Sequence, residues 1–178
     1  MKKQRFTISV FTEDVVGILN RVSNIFTRRK INVESIAASE SEIHGIYRYT
    51  IVITESENQI KKVVGQLEKQ VDVVKALYYR DTEIVYQEIA LYKVKTSVLA
   101  VGGNAEKIVR SNNARVLSVE PEFTVLEKTG HKKETQKLFD DLKPFGILEF
   151  VRSGRVAINK PMKTLSSVVE QLEKLKKN

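Results

Sequence analysis

Cysteine and tryptophan are missing from this 178-residue chain, and histidine occurs only as His44 and His131. The lack of cysteine excludes disulfides, thiolate zinc sites and cysteine nucleophiles. Two histidines leave little material for a histidine-based metal centre. Glu40, Glu42 and His44 alternate along one extended segment, where a metal could use them, but exposed carboxylates on a turn account for them as well. No apolar run approaches the roughly 18 residues needed to span a membrane. No charged-then-apolar leader with a small-residue cleavage site opens the chain, so a cytoplasmic protein without a membrane role is expected. The motifs G-x-S-x-G, G-x-x-x-x-G-K-[ST] and G-x-G-x-x-G are all absent. Gly102-Gly103 before a helix reads as a turn more readily than as an anion loop. Without a nucleophile, a metal set or a cofactor loop, this chain is not expected to catalyse a reaction by itself.

Charge is the first feature present in excess, with 30 basic against 22 acidic residues and a net +8. The excess is spread: residues 1–83 carry net +2, residues 84–159 net +3 and residues 160–178 net +3. Its densest clusters lie at the two ends, Met1 to Arg5 and Lys174 to Lys177, and short charge runs are usually solvated. Tyr47-Arg48-Tyr49 resembles a base-stacking platform but lacks the aromatic and glycine pattern of an RNA-recognition sheet. No nucleic-acid partner is expected. With 42% apolar and 29% charged residues, the chain has the composition of an ordinary soluble protein.

The pattern of elements repeats, although the sequence does not. Arg5 to Phe11 alternates as a half-buried strand, with Phe6, Ile8 and Val10 opposite Thr7 and Ser9. A helix carrying Val15, Ile18, Leu19, Val22, Ile25 and Phe26 follows. Strands over Ile31–Ala38 and Ile46–Thr54, a helix over Asn58–Lys69 and a strand over Val71–Tyr79 complete the first half. The second half replays this order: a strand from Val85 to Lys95 and on to Leu99, a helix over Ala105–Asn112, strands Arg115–Val119 and Glu122–Glu127, and a helix over Lys132–Leu142. Strands Ile147–Val151 and Arg155–Ile158 close it around a hairpin signal at Ser153-Gly154. Each half has the order βαββαβ, so the fold class is α+β with two tandem ferredoxin-like domains. The expected boundaries are 1–82, 83–160 and a C-terminal amphipathic helix over 161–178, with the polar stretch Arg80 to Glu83 as the link.

Thr12-Glu13-Asp14 supplies helix-start chemistry, with Asp14 as a capping carboxylate. Gly17 then falls in the first helical turn, where its missing side chain lets another group approach the backbone. The unpaired N–H groups of a helix start form an anion site, and Asn32 offers a carbonyl oxygen to an ammonium. A free amino acid carries both charges.

These residues also carry a resemblance. Gly17-Ile18-Leu19-Asn20-Arg21-Val22, Ile25-Phe26-Thr27-Arg28-Arg29 and Ile31-Asn32-Val33-Glu34-Ser35-Ile36 resemble the ACT domain of the small, regulatory subunit of acetolactate synthase. Gln66 to Val74, Glu88 to Val94 and Arg152 to Val156 extend the resemblance over about residues 5–160, covering both halves. It implies a regulatory subunit of branched-chain amino acid biosynthesis that binds and activates a catalytic subunit and makes it sensitive to feedback by valine. Thiamine diphosphate, magnesium and FAD are then expected on the catalytic subunit, and no cofactor on this chain. The ACT domains of that family pair side by side as a homodimer, with valine at the interface. By position, the implied effector-binding residues are Asp14, Val16, Gly17, Ile18, Asn32, Ala38 and Ser39. The family commonly has Asn at Asp14 and Gly at Lys30. A stand-alone amino-acid-sensing regulator that contacts nucleic acid is the alternative, but the chain has no room for a helix-turn-helix outside the matched halves.

Overall fold

The computed structural model describes residues 3–99, 103–161 and 167. The C-terminal helix expected beyond Pro161 lies outside them apart from Ser167, and Gly102 lies outside them too. The chain divides into two compact units, one formed by residues up to Val85 together with those from Arg155 onward, the other by Tyr86–Gly154. No helix among the described residues is long and apolar enough to cross a membrane.

In the first unit, β1 (Gln4–Glu13), α1 (Ile18–Arg28), β2 (Val33–Glu40), β3 (Ile46–Glu55), α2 (Glu57–Leu67) and β4 (Val73–Arg80) follow one another. The strands form an antiparallel sheet in the order β2-β3-β1-β4. One face of it, carrying Phe6, Ile8, Val10, Tyr49, Ile51 and Ile53, packs against Ile18, Val22, Ile25 and Phe26 of α1 and Ile60, Val63, Val64 and Leu67 of α2. The Ser56 hydroxyl caps α2 by accepting the Gln59 N–H. At the end of α1 the Lys30 N–H donates to the Thr27 carbonyl and the Ile31 N–H to the Phe26 carbonyl. That closure puts Lys30 in the left-handed region at φ 54°, a conformation that favours glycine.

β1 is not half-buried as its alternation suggests. Thr7 and Ser9 are each only 1% exposed, because the segment after the second unit returns over the outer face of the sheet. The Arg155 guanidinium donates to Thr7 Oγ1 and to Asp81 Oδ1 at 2.8 and 2.7 Å. Arg48 donates to Ser9 Oγ at 3.2 Å and to the Ala157 carbonyl at 2.5 Å, and stacks over the Phe11 ring. Burial lowers the Arg48 pKa from its usual value, and nearby Glu42 opposes that shift.

The second unit consists of β5 (Ile84–Lys95) from Tyr86 onward, α3 (Asn104–Ser111), β6 (Arg115–Val119), β7 (Phe123–Gly130), α4 (Lys132–Leu142) and β8 (Ile147–Arg152). Its sheet order, β6-β7-β5-β8, is that of the first unit with each strand replaced by its counterpart. The core gathers Ala90, Tyr92, Val94, Val109, Leu126, Leu138 and Leu142. Thr96–Leu99 forms a 3-10 turn instead of continuing β5. α3 starts at Asn104, with Gly103 as its N-cap. α3 ends like α1, with Asn113 at φ 51°, the Asn113 N–H on Arg110 and the Ala114 N–H on Val109. Ser153-Gly154 does not make a hairpin: β8 and β9 (Val156–Asn159) each pair with β5 and not with each other.

Candidate functional site

Helix α1 begins later than its sequence suggests. Thr12 and Glu13 belong to β1, and Asp14, Val15 and Val16 form a turn in which the Asp14 N–H donates to the Gly45 carbonyl. The N-cap is Gly17, at φ 84° and ψ 0°, and no side chain caps the helix. The expectation that Asp14 caps α1 is therefore corrected. Asp14 lies three residues ahead of the cap, is exposed, and its carboxylate reaches no N–H of the first turn. The misplaced start also changes the buried stripe: Val15 and Leu19, expected inward, are 36% and 48% exposed, and Val16 is fully exposed.

The N-terminus of α1 is consequently open. The Ile18 N–H donates to Val15 and the Arg21 N–H to Gly17, while those of Leu19 and Asn20 have no main-chain partner among the described residues. Unpaired N–H groups and the helix dipole together favour an anion there. A Cβ added at Gly17 would meet nothing within 4 Å, so φ alone is enough to explain the glycine.

The sheet register fixes where the remaining candidates lie. Glu13 pairs with Ile46, and Glu40 with Tyr47, so β1 and β2 both end beside the Gly17 turn. Ala38 pairs with Tyr49 and Ser39 with Arg48, close to that same end. Asp14, Val16, Gly17, Ile18, Ala38 and Ser39 thus share one end of the sheet. Asn32 does not. It precedes β2, whose first residue Val33 pairs with Ile53 near the opposite end, and it is exposed. Within one chain, Gly17 and Asn32 are separated by the length of β2.

β2 is an edge strand, so one row of its N–H and C=O groups has no strand partner among the described residues. Ile36, paired with Ile51 on the helix-covered face, is 41% exposed at that edge. Together with Val15, Val16 and Leu19 it gives this side of the unit exposed apolar surface. Burial raises the Tyr49 phenol pKa, and the Asp14 carboxylate pushes it further. Glu40, Glu42 and His44 do not assemble a metal site, and no group of three or more potential metal ligands occurs among the described residues. Sequence reading missed Arg48 and Arg155 as clamps on the outer face. The available signal was the run of small hydroxyl residues Thr7, Ser9 and Thr50, which suit a covered face.

Comparison with known proteins matches both units. The description "AHAS small subunit-like ACT domain" fits residues 8–75, and "small subunit of acetolactate synthase" fits residues 87–161. The chain is 34% identical to an acetolactate synthase small subunit of Mycobacterium bovis, over 90% of this chain and 95% of that one. It is 35% identical to that of Bacillus subtilis, over 87% and 89%. Among solved structures, the acetolactate synthase small subunit of Thermotoga maritima superposes with a TM-score of 0.80 at 26% identity, covering 90% of this chain and 99% of that one.

Proposed function

The chain belongs to the acetolactate synthase small-subunit family, and from that membership we propose that it is the regulatory subunit of a cytoplasmic acetolactate synthase. In this reading it binds and activates the catalytic subunit and transmits feedback inhibition by valine. The catalytic subunit carries the chemistry, with thiamine diphosphate, magnesium and FAD.

One observation carries the proposal: an uncapped helix start and an exposed amide flank the open edge strand β2 at its opposite ends. Two copies that join antiparallel through β2 extend the sheet, as an open edge allows. A two-fold axis normal to the sheet then brings the partner's Asn32 beside Gly17, and the reverse, giving two equivalent sites per dimer. In each, the N–H groups of Leu19 and Asn20 receive the valine carboxylate, and the amide oxygen of the partner's Asn32 accepts from the ammonium. Val16, Ile18 and Ala38 supply apolar surface for the side chain, and Ser39 a hydroxyl at the rim. Asp14, released from capping, is free to attract the ammonium.

The test is reconstitution with a purified catalytic subunit, measuring turnover and complex formation with and without valine. Raised turnover that valine reverses supports the reading. Unchanged turnover with no complex overturns it.

A further inference from the structure

The helix layer of the first unit holds a groove of about 480 Å3, lined by Ile25, Arg28, Arg29, Gln66, Lys69 and Gln70. A smaller hollow of about 130 Å3 shares Ile25, Arg28 and Gln70 with it and adds Arg21 and Asn24. Four of these side chains are cations, and among the described residues only Arg21 has a carboxylate partner, Asp72. Arg29 is held by neutral amides, with Nε donating to Gln66 at 2.7 Å and a terminal nitrogen to Gln59 at 3.4 Å. Arg28 and Lys69 line the groove and take part in no side-chain hydrogen bond or ion pair among the described residues. The nearby carboxylates are already engaged: Glu57 by Arg80 and Lys61, Glu68 by Lys75, and Asp72 by Arg21. Three positive charges therefore converge on one concavity with no carboxylate partner among the described residues.

We propose that this groove docks an acidic segment of the catalytic subunit, an inference that rests on the regulatory reading above. Arg28, Arg29 and Lys69 pair with its carboxylates, and Arg can do so bidentately. Asn24, Gln66 and Gln70 offer donors and acceptors to an extended main chain, and buried Ile25 gives the groove an apolar floor. Nucleic acid is a poorer fit than an acidic protein segment, since no aromatic side chain lines the groove for base stacking. Exposed charges facing a complementary surface act mainly by steering association, so complex formation should be fast at low salt and slow as salt rises.

The experiment uses the full chain with Arg28→Glu and Lys69→Glu combined. Both positions are exposed, so the fold is retained. Affinity for the catalytic subunit should fall by about tenfold or more, mainly through the association rate, and its salt dependence should flatten or reverse. Valine binding by calorimetry should stay unchanged, and the charge-conserving pair Arg28→Lys and Lys69→Arg should restore wild-type association. A complex that survives charge reversal with wild-type affinity and salt dependence overturns this inference alone. Absence of any complex with the wild-type chain overturns the regulatory reading and this inference with it. Oligonucleotide binding that is lost in the reversed variant, while association with the catalytic subunit is unaffected, also overturns the inference in favour of nucleic acid.

Discussion

If one ligand touches both Gly17 and Asn32, the two residues must come from different chains. The seven steps along β2 from Val33 to Glu40 amount to about 23 Å at about 3.3 Å per residue. That is several times the length of a free amino acid. Two single substitutions should therefore complement each other across a dimer. Gly17→Asp suits the left-handed backbone, which Asp tolerates better than most residues, and its carboxylate occupies the N–H groups while repelling that of the ligand. Asn32→Ala deletes one hydrogen bond to a charged group, worth about 1.5–3 kcal/mol, and so weakens binding by roughly ten- to hundredfold. Each homodimer then binds valine poorly. After subunit exchange about half the dimers are mixed, and each mixed dimer carries one site with both lesions and one with neither. About one quarter of all sites should recover wild-type affinity, a stoichiometry that calorimetry reads directly. Native mass spectrometry establishes that mixed dimers are present. If they are and no tight sites return, or if Asn32→Ala binds valine normally, the two-chain site is refuted.

Other expectations are simpler. Lys30→Gly relieves the left-handed strain at φ 54°, offset in part by the greater freedom of glycine in the unfolded chain, for a net gain of about 0.5–1 kcal/mol by urea unfolding; an unchanged midpoint would contradict it. Arg155→Ala, which strips Thr7 and Asp81 of a buried partner, should cost about 2–3 kcal/mol, and a loss below about 1 kcal/mol would mean that the clamp is ornamental. Asp14→Asn should weaken valine binding and flatten its salt dependence; tighter binding would show that Asp14 repels the carboxylate instead. Burial pushes the Tyr92 phenol up to about 12 from 10.0, and its O–H donates to the Thr135 carbonyl. The unfolded chain releases that proton near pH 10 and the folded one near 12, so this contribution is intact below pH 10 and lost as pH rises through 12, roughly 2–3 kcal/mol in all. Tyr92→Phe should be less stable at neutral pH yet flatter across that window, as read by urea unfolding at stepped pH; parallel profiles for the two proteins would refute the assignment.

Legibility in the sequence followed the range of the interactions. α2 and α4 are readable because the apolar residues of each form one stripe over one core; on α2 that stripe, Ile60, Val63, Val64 and Leu67, is the buried set. The start of α1 was misread because Thr12-Glu13-Asp14 ahead of an apolar run looks like a cap. The chain instead completes β1, turns, and enters the helix through Gly17. The burial of Thr7 and Ser9 was invisible locally, since their partners Arg155 and Arg48 lie 148 and 39 residues away. Ser153-Gly154 carries a hairpin signal, but β5 is long enough to pair with β8 and β9 in succession. The basic groove was split between the polar sides of two helices about 40 residues apart, each an ordinary solvated face on its own.

β1 links the end of the first unit where the proposed site lies to the outer face of its sheet. It runs from Gln4 to Glu13, pairs on both sides, and is buried on both faces from Phe6 to Thr12. At one end it leads directly into the Gly17 turn; further along, its Thr7 and Ser9 meet the side chains that hold the returning segment, Arg155 and Arg48. Arg155 immediately follows Gly154, the last residue of the second unit. A close-packed central strand has little freedom to deform, so any displacement at Glu13 that followed from the proposed binding would be shared with Thr7 more readily than absorbed. Coupling of about 1–3 kcal/mol is enough for strong inhibition, comparable to the loss expected from breaking the Arg155 clamp alone. The contacts that secure the returning segment therefore have the right magnitude, and the right strand, to sense the state of the proposed effector site.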